Sequence, residues 1–232
     1  MQSNPKHVEK MFDDIAPVYD KLNHVLTFHI DKIWRKKLVK QIQSFDNQLI
    51  LDIATGTGDL AFDILKRKKA FIHGIDISEK MVTLCNKKID KKKVSHLFQC
   101  TRADAMHMQF DDLTFHTVTI GFGIRNFEHT ENAISEIHRV LKKNGQLLIL
   151  EFFRSRLVEK NRLYRFYMKR IMPLIGKLIS RHPWAYVYLF NSIENFLSEN
   201  EFITMLDKNG FYDVKKKKLM GGMAFIISAV KR

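Results

Sequence analysis

The sequence predicts an α/β protein built on a parallel, doubly wound sheet, and three observations carry that expectation. Between residues 48 and 152, short apolar runs alternate with amphipathic helical stretches, the pattern of repeated βαβ units. The first of these runs, L-I-L-D-I at 49–53, passes directly into A-T-G-T-G-D at 54–59. Its glycines, Gly56 and Gly58, let the backbone turn sharply and approach a ligand with no Cβ in the way. Finally, acids or glycines fall at the carboxyl ends of the runs: T-G-T-G-D, Asp76, Asp104 with Ala105, Gly121 to Asn126, and Glu151. In an open sheet of this kind, ligands bind at those ends.

Taken in order, residues 6–14 carry Val8, Met11 and Phe12 at helical spacing, so a short amphipathic helix is expected. Pro17 interrupts it. Residues 25–43 read as a second helix, with Trp34, Leu38 and Ile42 on one face. Because the segment 1–46 precedes the first strand, it can fold over the glycine turn as a lid. Strands are expected at 48–53, 70–76, 94–101, 113–122, 146–152, 211–217 and 223–230. Helices are expected at 59–67, from a Ser78 N-cap to 89, at 131–141 and at 199–209. Asp59 is the expected N-cap of the first of these, where free N–H groups favour a negatively charged ligand group. K-K-N-G at 142–145 reads as a helix stop with Gly145 in the left-handed conformation. Residues 155–199 break the rhythm; their aromatic and Arg-rich composition reads as two or three inserted helices.

The 232 residues fit a single domain carrying that N-terminal segment and that insertion. Hydrophobic residues at 45% and charged residues at 28% are ordinary for a soluble globular chain. No apolar run reaches the roughly 18 residues of a membrane span, and residues 1–10 lack the apolar core of a secretory signal. Cys85 and Cys100 are too few for a disulfide framework or a zinc site, so a reducing cytoplasmic setting without a structural metal is expected. The net charge of +14 suits an anionic membrane surface or nucleic acid, and AT-rich codon usage produces the same excess of Lys.

Asp76 lies about twenty residues past Gly56, the spacing at which an acid accepts hydrogen bonds from a ribose diol. An adenosine-containing cofactor follows. Gly56, Gly58 and Ala61 also satisfy the dinucleotide fingerprint, which keeps NAD in view. Two acids favour S-adenosylmethionine instead. Asp52, just before the turn, repels a pyrophosphate but suits the amino group of a methionine moiety. Asp104, after the third strand, can meet an adenine amino group.

The motifs Y-D-K-L-N (19–23), W-R (34–35), D-I-A-T-G-T-G-D (52–59), G-I-D-I-S-E-K-M (74–81), A-D-A (103–105), G-F-G-I-R-N (121–126), R-V-L-K-K-N-G (139–145) and L-E-F (150–152) stand in order. Later runs at 186–193, 201–206 and 210–211 continue the series. Together they closely resemble the quinone-biosynthesis C-methyltransferases of the menaquinone and ubiquinone pathways. The glycine turn alone is shared by most class I methyltransferases; F-G-I-R-N with Y-D-x-x-N is far more specific. The resemblance implies a class I methyltransferase fold of seven strands, the last antiparallel, and S-adenosylmethionine contacts at Thr57, Asp76, Asp104 and Ala105. One family contact is a Ser where this chain has Gly121, which puts one cofactor hydrogen bond in doubt. Leu197 stands where the family usually has Pro, and the C-terminal strand lacks the usual His-x-Gly ending.

The implied reaction is methyl transfer to a ring carbon of a polyprenylated quinol, demethylmenaquinol to menaquinol, with a ubiquinone-pathway benzoquinol as the alternative. Arg125, a permanent cation at the end of the fourth strand, is the candidate for holding the phenolate. The competing reading of Arg125 is a salt bridge that anchors the loop. Tyr19, Asn23 and His29 on the lid are candidates for binding the ring oxygens or relaying a proton, against simple packing for His29. The aromatic insertion can receive the isoprenoid tail or rest on an anionic membrane; a helical core or a homodimer contact explains the same aromatics. Nucleic acid is not the expected partner, because F-G-I-R-N is unlike the Pro-Pro run that holds a flipped base and no catalytic Cys follows that strand.

Overall fold

The computed structural model describes residues 5–154 and 184–232. Seven strands form one sheet: β1 Gln48–Ile53, β2 Ala70–Asp76, β3 Phe98–Arg102, β4 Phe115–Gly121, β5 Leu141–Glu151, β6 Phe211–Leu219 and β7 Ala224–Lys231, in the order β3-β2-β1-β4-β5-β7-β6. β7 runs antiparallel to both its neighbours, and the pairs among β1 to β5 are parallel. The expected seven-stranded, mostly parallel sheet is therefore present. The helices are α1 Pro5–Ile15, α2 Tyr19–Leu26, α3 Ile30–Val39, α4 Asp59–Leu65, α5 Glu79–Lys92, α6 Thr130–Val140, α7 Trp184–Asn195 and α8 Glu199–Lys208. Most of the expected insertion, residues 155–183, lies outside the described residues; α7 is its last helix.

Strand β1 is apolar on both faces because both faces are covered. Leu51 and Ile53 join the core under α6 and α8, with Ile134, Ile137, Phe202 and Leu206. Ile50 points the other way, into the core under α3, α4 and α5, with Trp34, Leu38, Ile64 and Cys85. The strand order reverses between β1 and β4, so a crevice opens at their carboxyl ends. That reversal positions the site.

Four local expectations need correction. The single helix over 25–43 is two helices, α2 and α3, separated at Phe28 and His29, whose φ values of 50° and 60° are left-handed. Thr27 stabilises the corner: its hydroxyl lies 2.7 Å from the Asn23 carbonyl and 2.7 Å from Asp31. The N-cap of α4 is Gly58, at φ 88°, and Asp59 is the first helical residue. The left-handed residue after α6 is Asn144, not Gly145. Nor does K-K-N-G stop the helix, because Leu141 to Asn144 already belong to β5. The stop is made from a distance. The Lys231 ammonium, from β7, donates to the carbonyls of His138, Arg139 and Leu141, the groups left without partners at a helix end. The third strand begins at Phe98 rather than 94, after a turn closed by Leu97 N–H to the Val94 carbonyl at 2.9 Å.

Candidate functional site

A cleft enclosing about 780 Å³, open mouth included, lies at the carboxyl ends of β1, β2, β3 and β4. Its size is that of a pocket for a cofactor-sized ligand. The glycine turn forms one wall. Gly56 adopts φ 56°, and a side chain there would meet the Tyr19 ring at 3.6 Å. Across from it, Gly123 packs so closely on Ala54 that an added Cβ would lie 2.4 Å from the Ala54 Cβ, so the loops after β1 and β4 touch.

Asp76 is the polar centre of this half. One carboxylate oxygen accepts from the Gly56 N–H at 2.8 Å and the other from the Ser78 N–H at 3.0 Å. Burial pushes its pKa up to about 6 despite those backbone donors. Ser78 caps α5 as expected, accepting from the Met81 N–H at 3.1 Å. Asp104 and Ala105 line the same cleft, with the Met106 N–H donating to Asp104 at 2.8 Å. Ile77 and Met81 add apolar faces beside the two acids. Acid acceptors set against flat apolar walls suit an adenosine with a free ribose diol, so the donor and acceptor set fits S-adenosylmethionine.

The N-terminal segment closes another side. Val8, Phe12 and Tyr19 line the cleft. Four ties fasten this segment to the sheet. Asp13 accepts from the Ser78 hydroxyl at 2.6 Å, and Glu9 pairs with Arg102 at 2.6 Å. The Thr57 hydroxyl donates to Asp20, which Lys88 also contacts. Arg35 reaches Asp31 at 2.6 Å, Asp63 at 2.9 Å and Asp59 at 3.3 Å. Burial alone would raise the Asp31 carboxyl; the Thr27 hydroxyl and Arg35 hold it below the usual range instead.

Of the twelve residues singled out from the sequence, Tyr19, Gly56, Asp76, Asp104, Ala105 and Gly121 line the cleft, and the other six do not. Asp52 is buried beneath the turn, each oxygen accepting a hydroxyl at 2.6 Å, one from Thr55 and one from Thr119. It holds the loop rather than meeting a ligand, and burial lifts it to about 6. Thr57 is buried, with its hydroxyl committed to Asp20. Gly58 is packed against Cys85, whose sulfur would lie 2.8 Å from an added Cβ. His29 is exposed at the α2–α3 corner, its ring 5.4 Å from that of His24, away from the cleft. Asn23 lies behind Tyr19 and hydrogen-bonds to it, lowering a phenol that burial raises more strongly above its ordinary range.

Arg125 is placed differently from the phenolate-binding expectation. Its guanidinium donates to Glu151 at 2.7 Å, to the Phe122 carbonyl at 2.6 Å and to the Ser192 hydroxyl at 3.2 Å. Glu151 is fully buried and also accepts from the Phe152 N–H at 2.7 Å. Burial raises this carboxyl, and Arg125 opposes the rise. The salt-bridge reading is the one the geometry matches. Arg125 ties β4's loop to β5 and α7, and so presents its neighbour Asn126 to the cleft. In the sequence, Asn126 stands out only as the end of F-G-I-R-N. Its amide oxygen accepts from Tyr188 on α7 at 3.1 Å. No local signal marks that contact, because Tyr188 is 62 residues away.

A cofactor cleft at the switch of a seven-stranded sheet with one antiparallel strand defines a class I methyltransferase fold. Solved structures agree: a methyltransferase from Methanococcus maripaludis is 19% identical and superposes with a TM-score of 0.66, covering 95% of this chain and 94% of its own. The cyclase SpnF superposes with a TM-score of 0.70 at 15% identity, covering 97% of this chain and 94% of its own. The chain belongs to the ubiE/COQ5 methyltransferase family, whose model matches residues 1–231. It is similar to a demethylmenaquinone methyltransferase of Bacteroides fragilis, 37% identical over 97% of this chain and 93% of the relative. It is also 40% identical to a ubiquinone/menaquinone biosynthesis C-methyltransferase UbiE of Geotalea uraniireducens, over 94% of each. S-adenosylmethionine is the cofactor of this fold and family.

Proposed function

We propose that this chain methylates a ring carbon of a polyprenylated quinol, converting demethylmenaquinol to menaquinol. The observation that carries the reading is the shape of the cleft in a chain of this family. An acid-lined half at β1 to β3 runs into a second half walled by Tyr19, Phe122, Asn126 and Phe127. That second half is mostly aromatic, with Tyr19 and Asn126 as neutral polar groups and Glu128 as its one acid, a lining that suits a flat ring bearing two hydroxyls. A benzoquinol of the ubiquinone pathway is the second reading, favoured by the relatives named for both pathways.

When bound, S-adenosylmethionine supplies an electrophilic sulfonium methyl. Asp76 would accept the ribose diol, and Asp104 with Ala105 would border the base. Tyr19, kept protonated by burial and oriented by Asn23, donates its hydroxyl to a ring oxygen of the quinol. Asn126 offers its amide on the same side of the cleft. Arg125 acts through Asn126 as a positioning residue. Holding the reactants together can supply roughly 7–11 kcal/mol, against about 10²–10⁴ in rate from proton handling, so positioning dominates. The isoprenoid tail makes the reading that of a cytoplasmic protein working at an anionic membrane surface. No described helix is long and apolar enough to cross a membrane.

Pure protein offered radiolabelled cofactor with each quinol, reduced and oxidised, tests this directly. Label in the reduced naphthoquinol is expected; label in an oxidised quinone, or in neither ring, overturns it. Tyr19→Phe should then lower kcat about tenfold, the worth of one hydrogen bond, while cofactor affinity holds. Equal losses in both would reduce Tyr19 to packing.

A further inference from the structure

The described surface has a second concavity, separate from the cleft, between α3, α4 and α5. Seven cations line it: Arg35 and six lysines. Two carboxylates, Asp59 and Asp63, line it with them, while Asp31 and Asp20 reach Arg35 and Lys88 from its edge, and all four are already engaged. Asp63 takes Arg35 at 2.9 Å and Lys66 at 3.0 Å; Asp59 takes Arg35 and Lys88, each at 3.3 Å. The acids are therefore spent on the inner cations. Among the described residues, no carboxylate pairs with the outer four, Lys32, Lys36, Lys91 and Lys92.

The outer face of α3 extends this field. Lys32, Ile33, Lys36, Lys37 and Lys40 are all exposed along it, and its one acid, Asp31, is buried on the opposite side. Ile33 is 52% exposed in the middle of these lysines. An exposed branched apolar side chain ringed by unpaired lysines is the arrangement of a surface that rests in a headgroup layer. The edge strand β6 carries four consecutive lysines too, but two of them, Lys215 and Lys216, have carboxylate partners, at 2.6 and 3.5 Å. Lysines on an edge strand also serve to block strand pairing.

We infer that the α3–α5 face is the docking surface for an anionic phospholipid bilayer. The inference deepens the quinol reading and rests on it for the reason a bilayer is approached at all. The surface differs from the aromatic segment that the sequence nominated for this contact. Lys88 links the two sites physically, since its ammonium lies on the groove and also donates to the Thr57 hydroxyl of the glycine turn at 2.8 Å.

The test is co-sedimentation of the full chain with vesicles of phosphatidylcholine alone or mixed equally with phosphatidylglycerol. The wild type should bind the anionic vesicles only, and less as salt rises. The quadruple variant Lys32→Gln, Lys36→Gln, Lys91→Gln, Lys92→Gln should lose roughly tenfold or more of that binding. A control that removes the same charge from β6, Lys215 to Lys218 all →Gln, should lose far less. Equal losses in the two variants would mean that net charge, not this face, does the binding, and would overturn the assignment. So would binding of the neutral vesicles, or a lysine-dependent preference for duplex DNA or RNA over lipid. Turnover of a short-tailed, water-soluble naphthoquinol should be unchanged in the quadruple variant. If the wild type fails to methylate that quinol, the functional reading falls while the vesicle result stands separately.

Discussion

The two halves of the cleft treat charge in opposite ways. In the cofactor half, Asp76 accepts backbone N–H bonds from Gly56, Ser78 and Ile77 and borders open space, where a lone pair can still meet a ligand. In the substrate half, the charged pair Arg125–Glu151 is turned inward and satisfied by its own neighbours. One half leaves a charge open to a ligand; the other uses a buried pair to fix a loop and leaves Tyr19 and Asn126 at the surface of the cleft. In the proposed reaction, a ring that must become electron-rich would thus meet hydrogen-bond donors rather than a bare cation.

The largest effect should come from breaking the buried pair. Glu151→Ala leaves Arg125 buried without its partner and should cost about 3–5 kcal/mol of stability in urea titration. The double variant Arg125→Met, Glu151→Leu should recover most of that stability yet keep turnover low, because Asn126 loses its anchor. Full recovery of turnover would show that the pair serves stability alone. On the other side of the comparison, Asp76→Ala should weaken S-adenosylmethionine by about 1.5–3 kcal/mol, the range for hydrogen bonds to a charged group, as read by calorimetry. Unchanged affinity would remove Asp76 from the site.

A smaller effect follows from pH. With Asp76 raised to about 6, the free protein holds a proton there in mild acid, and the ribose diol favours the ionised form. Affinity should fall about tenfold for each pH unit below 6, about 1.4 kcal/mol, and level off above it. Asp52 titrates in the same window, so Asp52→Asn, which removes one of the two, should leave the slope in place. The same shifts act on stability with a defined sign. The unfolded chain releases these protons near pH 4 while the folded chain keeps them to about 6, so stability falls as pH rises between those values. The smallest effect is expected at Gly121→Ser. The restored hydroxyl should strengthen cofactor binding by under about 1 kcal/mol, because the new Cβ meets Leu60 at 3.2 Å and that side chain must yield.

The sheet was legible in the sequence because a two-sided core imposes a mostly apolar run on each inner strand. β1 and β2 match the expected bounds residue for residue. The cofactor half of the site was legible for a related reason. Its groups sit at strand ends, where local sequence marks them, as with Asp76 and its spacing from Gly56. What could not be read depends on partners far along the chain. That Thr55 and Thr119 turn Asp52 inward is a fact about β4, not about the residues around position 52. That Glu151 claims Arg125 joins two strand ends 26 residues apart. The helix break at Phe28 and His29 was hidden because no glycine or asparagine marks it, although His is among the residues enriched at positive φ.

The hydrogen bond from Thr57 to Asp20 has a thermodynamic consequence. The N-terminal helices are fastened to the same turn that must order around the cofactor, so the two ordering steps are linked, and linkage is reciprocal. Cofactor should slow amide exchange and protease cleavage in residues 8–20, although most of that segment touches only the far wall of the cleft. Asp20→Ala should weaken that protection without removing any cofactor contact. On the proposed reading, part of the cofactor's binding free energy would go into ordering the wall against which the quinol packs.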